Sequence, residues 1–210
     1  MEPEPLLAEI DHIAEEVWLK SQWKWHLGTQ LLVLRGGPAT AWPGGRLTSG
    51  AGVDAPVLAG LPKVRQTLDT ALGVPARIAW IGRSPPGSDI RLHIDDTPHW
   101  DHHHRVHIAL RTTERARLCV SGRFVHMPAG TAWMFNNSAP HGMINEGATR
   151  LHLIVDLEPG PEADALIVSG EAVPGERDPQ ALARLSRDPL EKLTDADRAD
   201  PERMYRLRQQ

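Results

Sequence analysis

The amino-acid sequence predicts a mainly β domain, built as a sandwich or double-sheet jelly roll with flanking helices. The chain has 210 residues, a length that suits one domain with a full apolar core. It contains 18 glycines and 18 prolines, a content that favours many turns and short strands over long helices. From Arg77 onward, short apolar runs alternate with turn residues, which is the pattern of an all-β architecture.

Two earlier segments have helical periodicity instead. Apolar side chains recur at helical spacing over Leu6–Lys20, whose opposite face is acidic, so we predict a helix that packs on a sheet. A second helical pattern covers Leu61–Leu72 and ends at Gly73. Between these segments, Thr29–Arg35 has the composition of a buried strand. Residues 38–55 are rich in Gly, Pro and Ala without any period, and we predict a surface loop near the mouth of a site.

The strands predicted from Ile78 onward are short and bounded by turn residues. Ser121-Gly122 is typical of a two-residue hairpin turn. Arg105–Leu110 shows the clearest alternation, so Arg105 and His107 share one face of that strand and its apolar residues take the other. The predicted strands are Ile78–Ile81, Ile90–Asp95, Arg105–Leu110, Arg117–Val120, Arg123–Val125, Thr131–Phe135 and Leu151–Leu157.

After Pro159 the composition becomes charged and polar. Three Asp–Pro pairs in this tail each offer an aspartate N-cap followed by proline at the first helical position, which predicts short helices. These pairs are Asp178-Pro179, Asp188-Pro189 and Asp200-Pro201. We therefore divide the chain into a main β domain with N-terminal helices over residues 1–160 and a polar, partly helical extension over residues 161–210.

Charge and cysteine content exclude several classes of function. The formal net charge of −4 argues against nucleic acid or an anionic membrane as a partner. Cys119 is the single cysteine, which suits a reducing compartment. The acidic N-terminus lacks the pattern of a signal peptide, and no apolar stretch approaches the roughly 20 residues of a membrane helix. We expect a cytoplasmic protein whose partner is a small-molecule or peptide substrate; nothing in the sequence specifies an oligomeric state.

Two histidines and one carboxylate form a candidate metal site. His93 and Asp95 are spaced at i, i+2, which in an extended strand directs both side chains to the same side of the sheet. His141 follows 48 residues after His93, enough for several antiparallel strands to bring it back. Two imidazoles and one carboxylate are the ligand set of non-haem Fe(II) sites with open positions. Asp96 is the rival carboxylate, but it would point to the other face of the strand.

The segment that contains these residues resembles the aspartyl/asparaginyl β-hydroxylase family, which is related to the bacterial proline cis-hydroxylases. The resemblance extends over the middle of the chain in both order and spacing. The matching pieces are Pro86–Asp95, Arg105–Leu110, Gly130–Asn137, His141 and Arg150–Asp156. It implies a double-stranded β-helix (a cupin-like jelly roll) over residues 1–160. It also implies a dioxygenase that uses Fe(II), 2-oxoglutarate and O2 to hydroxylate an amino acid, free or as an Asp, Asn or Pro residue in a peptide.

The same resemblance assigns roles to individual residues. It implies that His93, Asp95 and His141 hold the metal, and that Arg150, nine residues after His141, pairs with the distal carboxylate of 2-oxoglutarate. A guanidinium suits that task because it binds a carboxylate bidentately and stays charged when buried. Arg105 and His107 match the Arg-x-His pair of the family, which contacts the metal-bound end of the co-substrate. Beyond the metal centre, no catalytic residue is predicted.

Other outcomes remain open at this stage. An oxygenase of this type could desaturate or halogenate its substrate, although Asp95 argues against halogenation because halogenases replace that carboxylate with a small residue. A non-catalytic, cupin-like metal-binding or sensing module would bind the metal without forming succinate. The loop Asp96–His104 is either a lid that brings Trp100 and His99 to the substrate or a solvated polar loop with an incidental histidine run, and we favour the second interpretation for the run at 102–104.

Overall fold

The computed structural model describes residues 1–36, 52–96 and 98–209, without the side chains of Pro98 and Trp100. It confirms a mainly β fold with flanking helices. The strands are β1 (Leu19–Lys20), β2 (Gln30–Gly36), β3 (Val53–Asp54), β4 (Ile78–Ser84), β5 (Asp89–His93), β6 (His104–Arg111), β7 (Ala116–Val120), β8 (Arg123–His126), β9 (Ala132–Trp133), β10 (His141–Asn145) and β11 (Arg150–Leu157). The α-helices are α1 (Glu4–Ile10), α2 (Pro62–Thr70), α3 (Pro161–Ser169), α4 (Pro179–Leu185), α5 (Asp195–Arg198) and α6 (Pro201–Arg208).

The strands form two antiparallel sheets. The major sheet has the order β1-β2-β4-β11-β6-β9, with β3 paired to β2, and the minor sheet has the order β5-β10-β7-β8. Neighbours in space come from distant parts of the chain, as in a double-stranded β-helix. The predicted fold class is therefore confirmed. None of the described helices is both long and apolar enough to cross a membrane.

The two faces of the major sheet differ in chemistry. One face is apolar and packs against α1 and α2, where Leu32, Ile81 and Leu153 belong to the largest core cluster. The other face carries polar side chains in register across three central strands. Arg150 is opposite Ser84, His152 is opposite Ala109, Ile154 is opposite His107 and Asp156 is opposite Arg105. Directly opposed residues in a ladder lie on the same face of a sheet, so these groups line one surface of the fold.

The long N-terminal helix predicted over Leu6–Lys20 is wrong in its extent. Helix α1 ends at Ile10, a 3₁₀ turn covers Glu15–Val17, and Leu19 pairs with Leu31 on β2. Trp18 is buried there, with the Arg83 guanidinium 4.1 Å above its ring. Strand pairing and burial of this tryptophan outweigh the helical pattern, because a short isolated helix gains little from propensity alone.

Strand β10, which supplies one of the predicted ligands, was not expected from the sequence. Its five residues are all buried, but the segment is too short to show a period. Conversely, the strand predicted over Thr131–Phe135 shrinks to Ala132–Trp133. The hairpin turn is confirmed, since both Ser121 and Gly122 have positive φ angles, as a type I′ turn requires. The predicted loop 38–55 lies mostly outside the described residues; its last part contains β3.

The polar tail contains the three predicted aspartate caps. Asp178 and Asp200 accept backbone hydrogen bonds at the starts of α4 and α6, and Asp188 caps a 3₁₀ turn, Pro189–Lys192. Helix α4 packs Ala181 and Leu185 into a core cluster with Cys119, Phe124 and Ile144 of the minor sheet. The division of the chain at residue 160 stays a prediction, but the tail clearly contributes to the core.

The tail also holds the strand that carries the first predicted ligand. Asp89 at the start of β5 is buried and pairs with Lys192 and with the Arg184 guanidinium, whose Nε lies 3.0 Å from Asp89 Oδ2. Lys192 Nζ also donates to the Leu27 carbonyl at 3.2 Å. These bonds join β5 to the segment that follows the 3₁₀ turn Lys24–His26.

Candidate metal centre

Pairing of β5 with β10 brings the two predicted histidine ligands together. His93 and His141 are cross-strand partners, and their ring centroids are 4.3 Å apart. Gly142 permits this close approach, because a Cβ at that position would lie 2.6 Å from the Ile90 carbonyl oxygen. Asp95 lies two residues beyond the end of β5, and its backbone N–H donates to the Asn137 carbonyl.

The three side chains converge on one point. Nε2 of His93 lies 3.8 Å from Oδ1 of Asp95, and Nε2 of His141 lies 3.8 Å from Oδ2 of the same carboxylate. One ligand atom from each of the three residues falls within 4.8 Å of the other two. Asp96 is exposed and does not belong to this group. Among the described residues, this is the one cluster of histidines, cysteines and carboxylates with the spacing of a metal site.

Hydrogen bonds orient each ligand toward that point. Nδ1 of His93 lies 2.8 Å from the Arg91 carbonyl oxygen, and Nδ1 of His141 lies 3.0 Å from that of Ala139. Since a carbonyl can only accept, both Nδ1 atoms carry the proton and both Nε2 atoms present a lone pair. The Asn137 amide donates to Asp95 Oδ2 at 3.0 Å. Two oriented imidazoles and one carboxylate fit the facial triad of non-haem Fe(II).

Burial keeps both ligand imidazoles neutral. It lowers the pKa of His93 to about 4, with a smaller contribution from the neighbouring His141. It also lowers the pKa of His141, although the Ala139 carbonyl and Asp95 oppose that shift. A neutral imidazole binds a metal, whereas a protonated one does not. The site is therefore ready for a cation at neutral pH.

Arg150 is a buried cation without a carboxylate among the described residues. Its side chain lies at the start of β11, and the residue is 6% exposed. Nη2 donates to Nδ1 of His152 at 2.8 Å, and the described residues contain no salt bridge to this guanidinium. Burial lowers the pKa of Arg150 to about 9. An uncompensated charge at such a place is costly, so it marks where an anion would be stabilised.

The polar face between Arg150 and the metal ligands contains two further buried histidines. Within the described parts of the chain, both ring nitrogens of His107 and Nε2 of His152 have no hydrogen-bond partner. Burial, followed by the charge of Arg150, lowers the pKa of both side chains well below the usual value. The ring centroid of His107 lies 6.1 Å from that of His152 and 5.2 Å from that of Phe135. The Phe135 centroid in turn lies 5.1 Å from that of His141. Buried polar atoms without partners are rare, so these nitrogens are candidates for contact with a polar ligand.

Arg105 has a protein partner that sequence reasoning missed. Its Nε and Nη2 donate to the two oxygens of Asp156 at 2.7 and 2.8 Å, while Nη1 lies 3.6 Å from Asp95 Oδ2. Burial opposes ionisation of Asp156, but Arg105 outweighs it and holds the pKa of Asp156 well below its usual range. The alternation of β11 places Asp156 on the face of Arg150 and His152, and that pattern could have revealed it. Contact between Arg105 and a co-substrate stays a prediction.

His99, predicted as a candidate substrate contact, points inward. Its Nε2 lies 2.9 Å from Asp156 Oδ2, and its ring stacks on that of His103 at 4.1 Å between centroids. His103 is buried, whereas His102 is exposed. The side chain of Trp100 lies outside the described part of the chain. A substrate contact by His99 or Trp100 stays a prediction.

Two residues from the N-terminal part of the chain lie beside His93. Nε2 of His26 lies 3.3 Å from Nε2 of His93, and the Trp25 ring stacks on the His93 ring at 5.5 Å between centroids. Burial and the neighbouring His93 lower the pKa of His26 well below its usual value. No spacing rule connects a histidine to a ligand 67 residues away, so the sequence alone held no signal for this contact.

A known protein family matches the part of the chain that contains this site. A sequence model of a family described as aspartyl/asparaginyl beta-hydroxylase matches residues 33–159 of the 210. No significant match to a curated protein sequence was found. Residues 93, 95, 107, 141 and 150 all fall within the matched range.

Solved structures with similar strand arrangements include cupin proteins. A cupin 2 conserved barrel domain protein from Salinispora arenicola has 19% identity and a TM-score of 0.30, covering 44% of this chain and 71% of its own. A protein described as a predicted oxalate decarboxylase from Thermotoga maritima has 14% identity and a TM-score of 0.34, with 62% and 81% covered. KdgF from Halomonas sp. has 10% identity and a TM-score of 0.37, with 65% and 84% covered. At these scores the likeness adds nothing to the strand order described above.

Proposed function

This chain belongs to the aspartyl/asparaginyl β-hydroxylase family, and from that membership and its site geometry we propose that it is an Fe(II)- and 2-oxoglutarate-dependent dioxygenase. Its reaction would be hydroxylation of an amino acid, free or as an Asp, Asn or Pro residue within a peptide. One observation carries the proposal: the triad beside β5 and β10 of the minor sheet is connected, through ring contacts of Phe135, His107 and His152, to the buried Arg150 guanidinium on the major sheet, which pairs with no carboxylate of the described residues.

His93, Asp95 and His141 would hold the metal. The two imidazoles are neutral and oriented, and the single carboxylate contributes one negative charge, so the ion keeps net positive charge and unfilled positions. When bound, Fe(II) with 2-oxoglutarate and O2 supplies the oxidation of an unactivated C–H bond to an alcohol. The Asn137 amide holds the Asp95 carboxylate in place, and Trp25 and Phe135 cover the two imidazoles with apolar surface.

Arg150 would bind the distal carboxylate of 2-oxoglutarate. A guanidinium with one neutral partner, His152, has donors left for a bidentate contact with a carboxylate. His107 and His152, whose rings link Arg150 to the metal ligands, offer nitrogen atoms that no described residue hydrogen-bonds. A dicarboxylate in this position would neutralise the buried charge and accept a hydrogen bond from the ring N–H of each histidine. Ser84, buried and opposite Arg150 in the ladder, would border the same carboxylate.

Location and partner follow from the same proposal. The single cysteine, Cys119, is buried and free, which suits the reducing cytoplasm in which ferrous iron persists. The partner would be the amino-acid or peptide substrate, rather than nucleic acid or a membrane.

The proposal is tested by adding Fe(II) and 2-oxoglutarate to the metal-free protein under anaerobic conditions. We expect a visible metal-to-ligand charge-transfer band in the wild-type protein. It should vanish in His93→Ala and weaken in Arg150→Met. Arg111→Met is the matched control, since Arg111 is a partly exposed arginine of the same sheet that pairs with Asp11, and it should leave the band unchanged. Admission of O2 should then produce succinate.

Two results would decide against the proposal in different ways. A band of equal strength in wild-type and His93→Ala protein would show that the metal binds elsewhere. Metal binding at the triad without a band or succinate would favour the non-catalytic, cupin-like alternative. Once succinate formation is established, a mass gain of one oxygen across a panel of amino acids and peptides would identify the substrate.

A further inference from the structure

His26 is a third imidazole close to the metal ligands, and the proposed function assigns it no role. It belongs to the 3₁₀ turn Lys24–His26, far from the triad in sequence. Its Nε2 lies 3.3 Å from Nε2 of His93, the atom that faces the metal position. A cation bound by His93 would therefore have Nε2 of His26 as an immediate neighbour.

The hydrogen-bond network assigns the proton between these two nitrogens. Nδ1 of His93 faces the Arg91 carbonyl and must carry a hydrogen, so Nε2 of the neutral ring is an acceptor. A hydrogen bond at 3.3 Å then requires the proton to be on Nε2 of His26. In the metal-free protein, His26 thus donates to the lone pair that a metal would occupy.

His26 is held firmly in this orientation. Its carbonyl accepts hydrogen bonds from the backbone N–H of Thr29 at 3.0 Å and from its hydroxyl at 2.8 Å. The Trp23 ring meets the His26 ring edge-on at 5.3 Å between centroids. Lys192 donates to the carbonyl of the next residue, Leu27. When a metal takes the His93 lone pair, the N–H of His26 loses its acceptor but stays directed at the same place.

His26 lies beside the metal ligands rather than among them. The group whose ligand atoms all lie within 4.8 Å of one another contains His93, Asp95 and His141, but not His26. A ligand needs a bare nitrogen, whereas the network places a proton on Nε2 of His26. A protonated nitrogen next to a metal is instead suited to donate a hydrogen bond to whatever else the metal binds.

We propose that His26 positions the exogenous ligand of the metal by donating a hydrogen bond from Nε2, and that in the metal-free protein His93 accepts this same hydrogen bond. The ligand class is an anion or oxygen donor at a metal position that the protein leaves free. The inference rests on the metal site proposed above, and it adds a fourth side chain that discriminates among ligands without coordinating the metal.

The first test uses wild-type protein, labelled with ¹⁵N, and long-range ¹H–¹⁵N spectra of the histidine rings. In the metal-free protein, His26 should be the Nε2–H tautomer, while His93 and His141 should be Nδ1–H tautomers. Addition of Zn(II) should move the Nε2 resonances of His93 and His141 to metal-bound values, and His26 should keep its proton on Nε2. A metal-bound shift for His26, or an Nδ1–H tautomer, would overturn the proposal.

The second test titrates azide, an anion that accepts hydrogen bonds, into the Co(II)-loaded protein and follows the visible spectrum. Loss of one hydrogen bond to an anion in His26→Phe should weaken azide binding about tenfold, while His26→Gln, which keeps a side-chain N–H, should stay close to wild type. His102→Phe is the matched control, because His102 is exposed and does not belong to the group of ligand atoms formed by His93, Asp95 and His141.

Affinity for Co(II) distinguishes the possible failures. His26→Phe should bind Co(II) as tightly as wild type or up to about tenfold more tightly, because the metal no longer competes with a hydrogen bond to His93. A large loss of Co(II) affinity in this variant would make His26 a ligand and refute its positioning role. Unchanged azide affinity would also refute it. Retention of Co(II) in His93→Ala would instead refute the metal site itself.

Discussion

Two arginines on the same face of the major sheet, Arg150 buried and Arg105 partly buried, have opposite surroundings. Arg105 donates hydrogen bonds to both carboxylate oxygens of Asp156, which is 0% exposed. The Arg105 guanidinium also lies 4.5 Å above the Trp80 ring. Arg150 has one neutral neighbour, His152, and no carboxylate among the described residues. Both positions match a family motif, but Asp156 neutralises the charge of Arg105, whereas no described carboxylate neutralises that of Arg150. The difference teaches that burial alone does not mark a binding group; burial without compensation does.

Removal of the compensated guanidinium should have the largest effect on stability. Arg105→Leu leaves the Asp156 carboxylate buried without its main partner, and we expect the free energy of unfolding to fall by about 3–5 kcal/mol. Urea unfolding of the metal-free protein measures this change. The double variant Arg105→Leu/Asp156→Leu removes both charges and should recover much of the loss. An Arg105→Leu protein as stable as wild type would mean that the ion pair is dispensable and the contrast with Arg150 is false.

Removal of the uncompensated guanidinium should instead affect the co-substrate. Arg150→Met should weaken 2-oxoglutarate binding about 100-fold, because truncation of one partner of a buried charge pair costs roughly 2–5 kcal/mol. Anaerobic calorimetric titration of the metal-loaded protein measures the affinity, and Arg111→Met serves as control. The affinity for succinate, which retains one carboxylate for Arg150, should fall in parallel. If both variants bind 2-oxoglutarate equally, Arg150 does not hold the distal carboxylate.

Acid should destabilise the metal-free protein through the histidines of the site. His26, His93, His107, His141 and His152 have pKa values lowered from 6.5 by burial, so the unfolded chain binds more protons below that pH than the folded protein does. The contribution of these histidines to the free energy of unfolding is therefore fully present above pH 6.5 and is lost as pH falls. For His93 this loss extends down to about pH 4. Each histidine contributes a slope of about 1.4 kcal/mol per pH unit within its window.

Urea unfolding of the metal-free protein between pH 7.5 and 5 measures this slope. Below pH 6.5 we expect the free energy of unfolding to fall by more than about 1.4 kcal/mol per pH unit. His107→Asn should reduce this slope by about 1.4 kcal/mol per pH unit, which corresponds to one proton. His102→Asn, at an exposed position, should not change it. A slope near zero would show that the buried histidines accept protons in the folded state, and that this surface is more solvated than its burial indicates.

The smallest effect concerns the stability of the Arg150 variant. Because no carboxylate of the described residues compensates this charge, Arg150→Met should leave the free energy of unfolding of the metal-free protein within about 1 kcal/mol of wild type, or raise it. Thermal and urea unfolding without co-substrate measure the change. A loss comparable to that of Arg105→Leu would reveal a structural partner for Arg150 and would remove the distinction between the two arginines.

Local pattern was sufficient for several features of the molecule. The aspartate caps at Asp178, Asp188 and Asp200 act within three residues of sequence, and the Ser121-Gly122 turn depends on two backbone angles. The fold class followed from turn frequency and short apolar runs. Such features depend on neighbouring residues, so they are written in the sequence directly. The helix expected over Leu6–Lys20 failed because its second half is decided by pairing with β2 and not by local preference.

The sequence by itself determined the kind of protein: a mainly β domain with two histidines and a carboxylate in a spacing that suits one metal, and an arginine placed after them. Tertiary structure alone decided which charges are compensated. Pairing of β6 with β11 sets Asp156 against Arg105 and leaves Arg150 beside a neutral histidine, and packing of an N-terminal turn against β5 brings His26 to His93. The Arg105–Asp156 and His26–His93 contacts join residues 51 and 67 positions apart, the surroundings of Arg150 depend on which face a strand buries, and no local spacing encodes them.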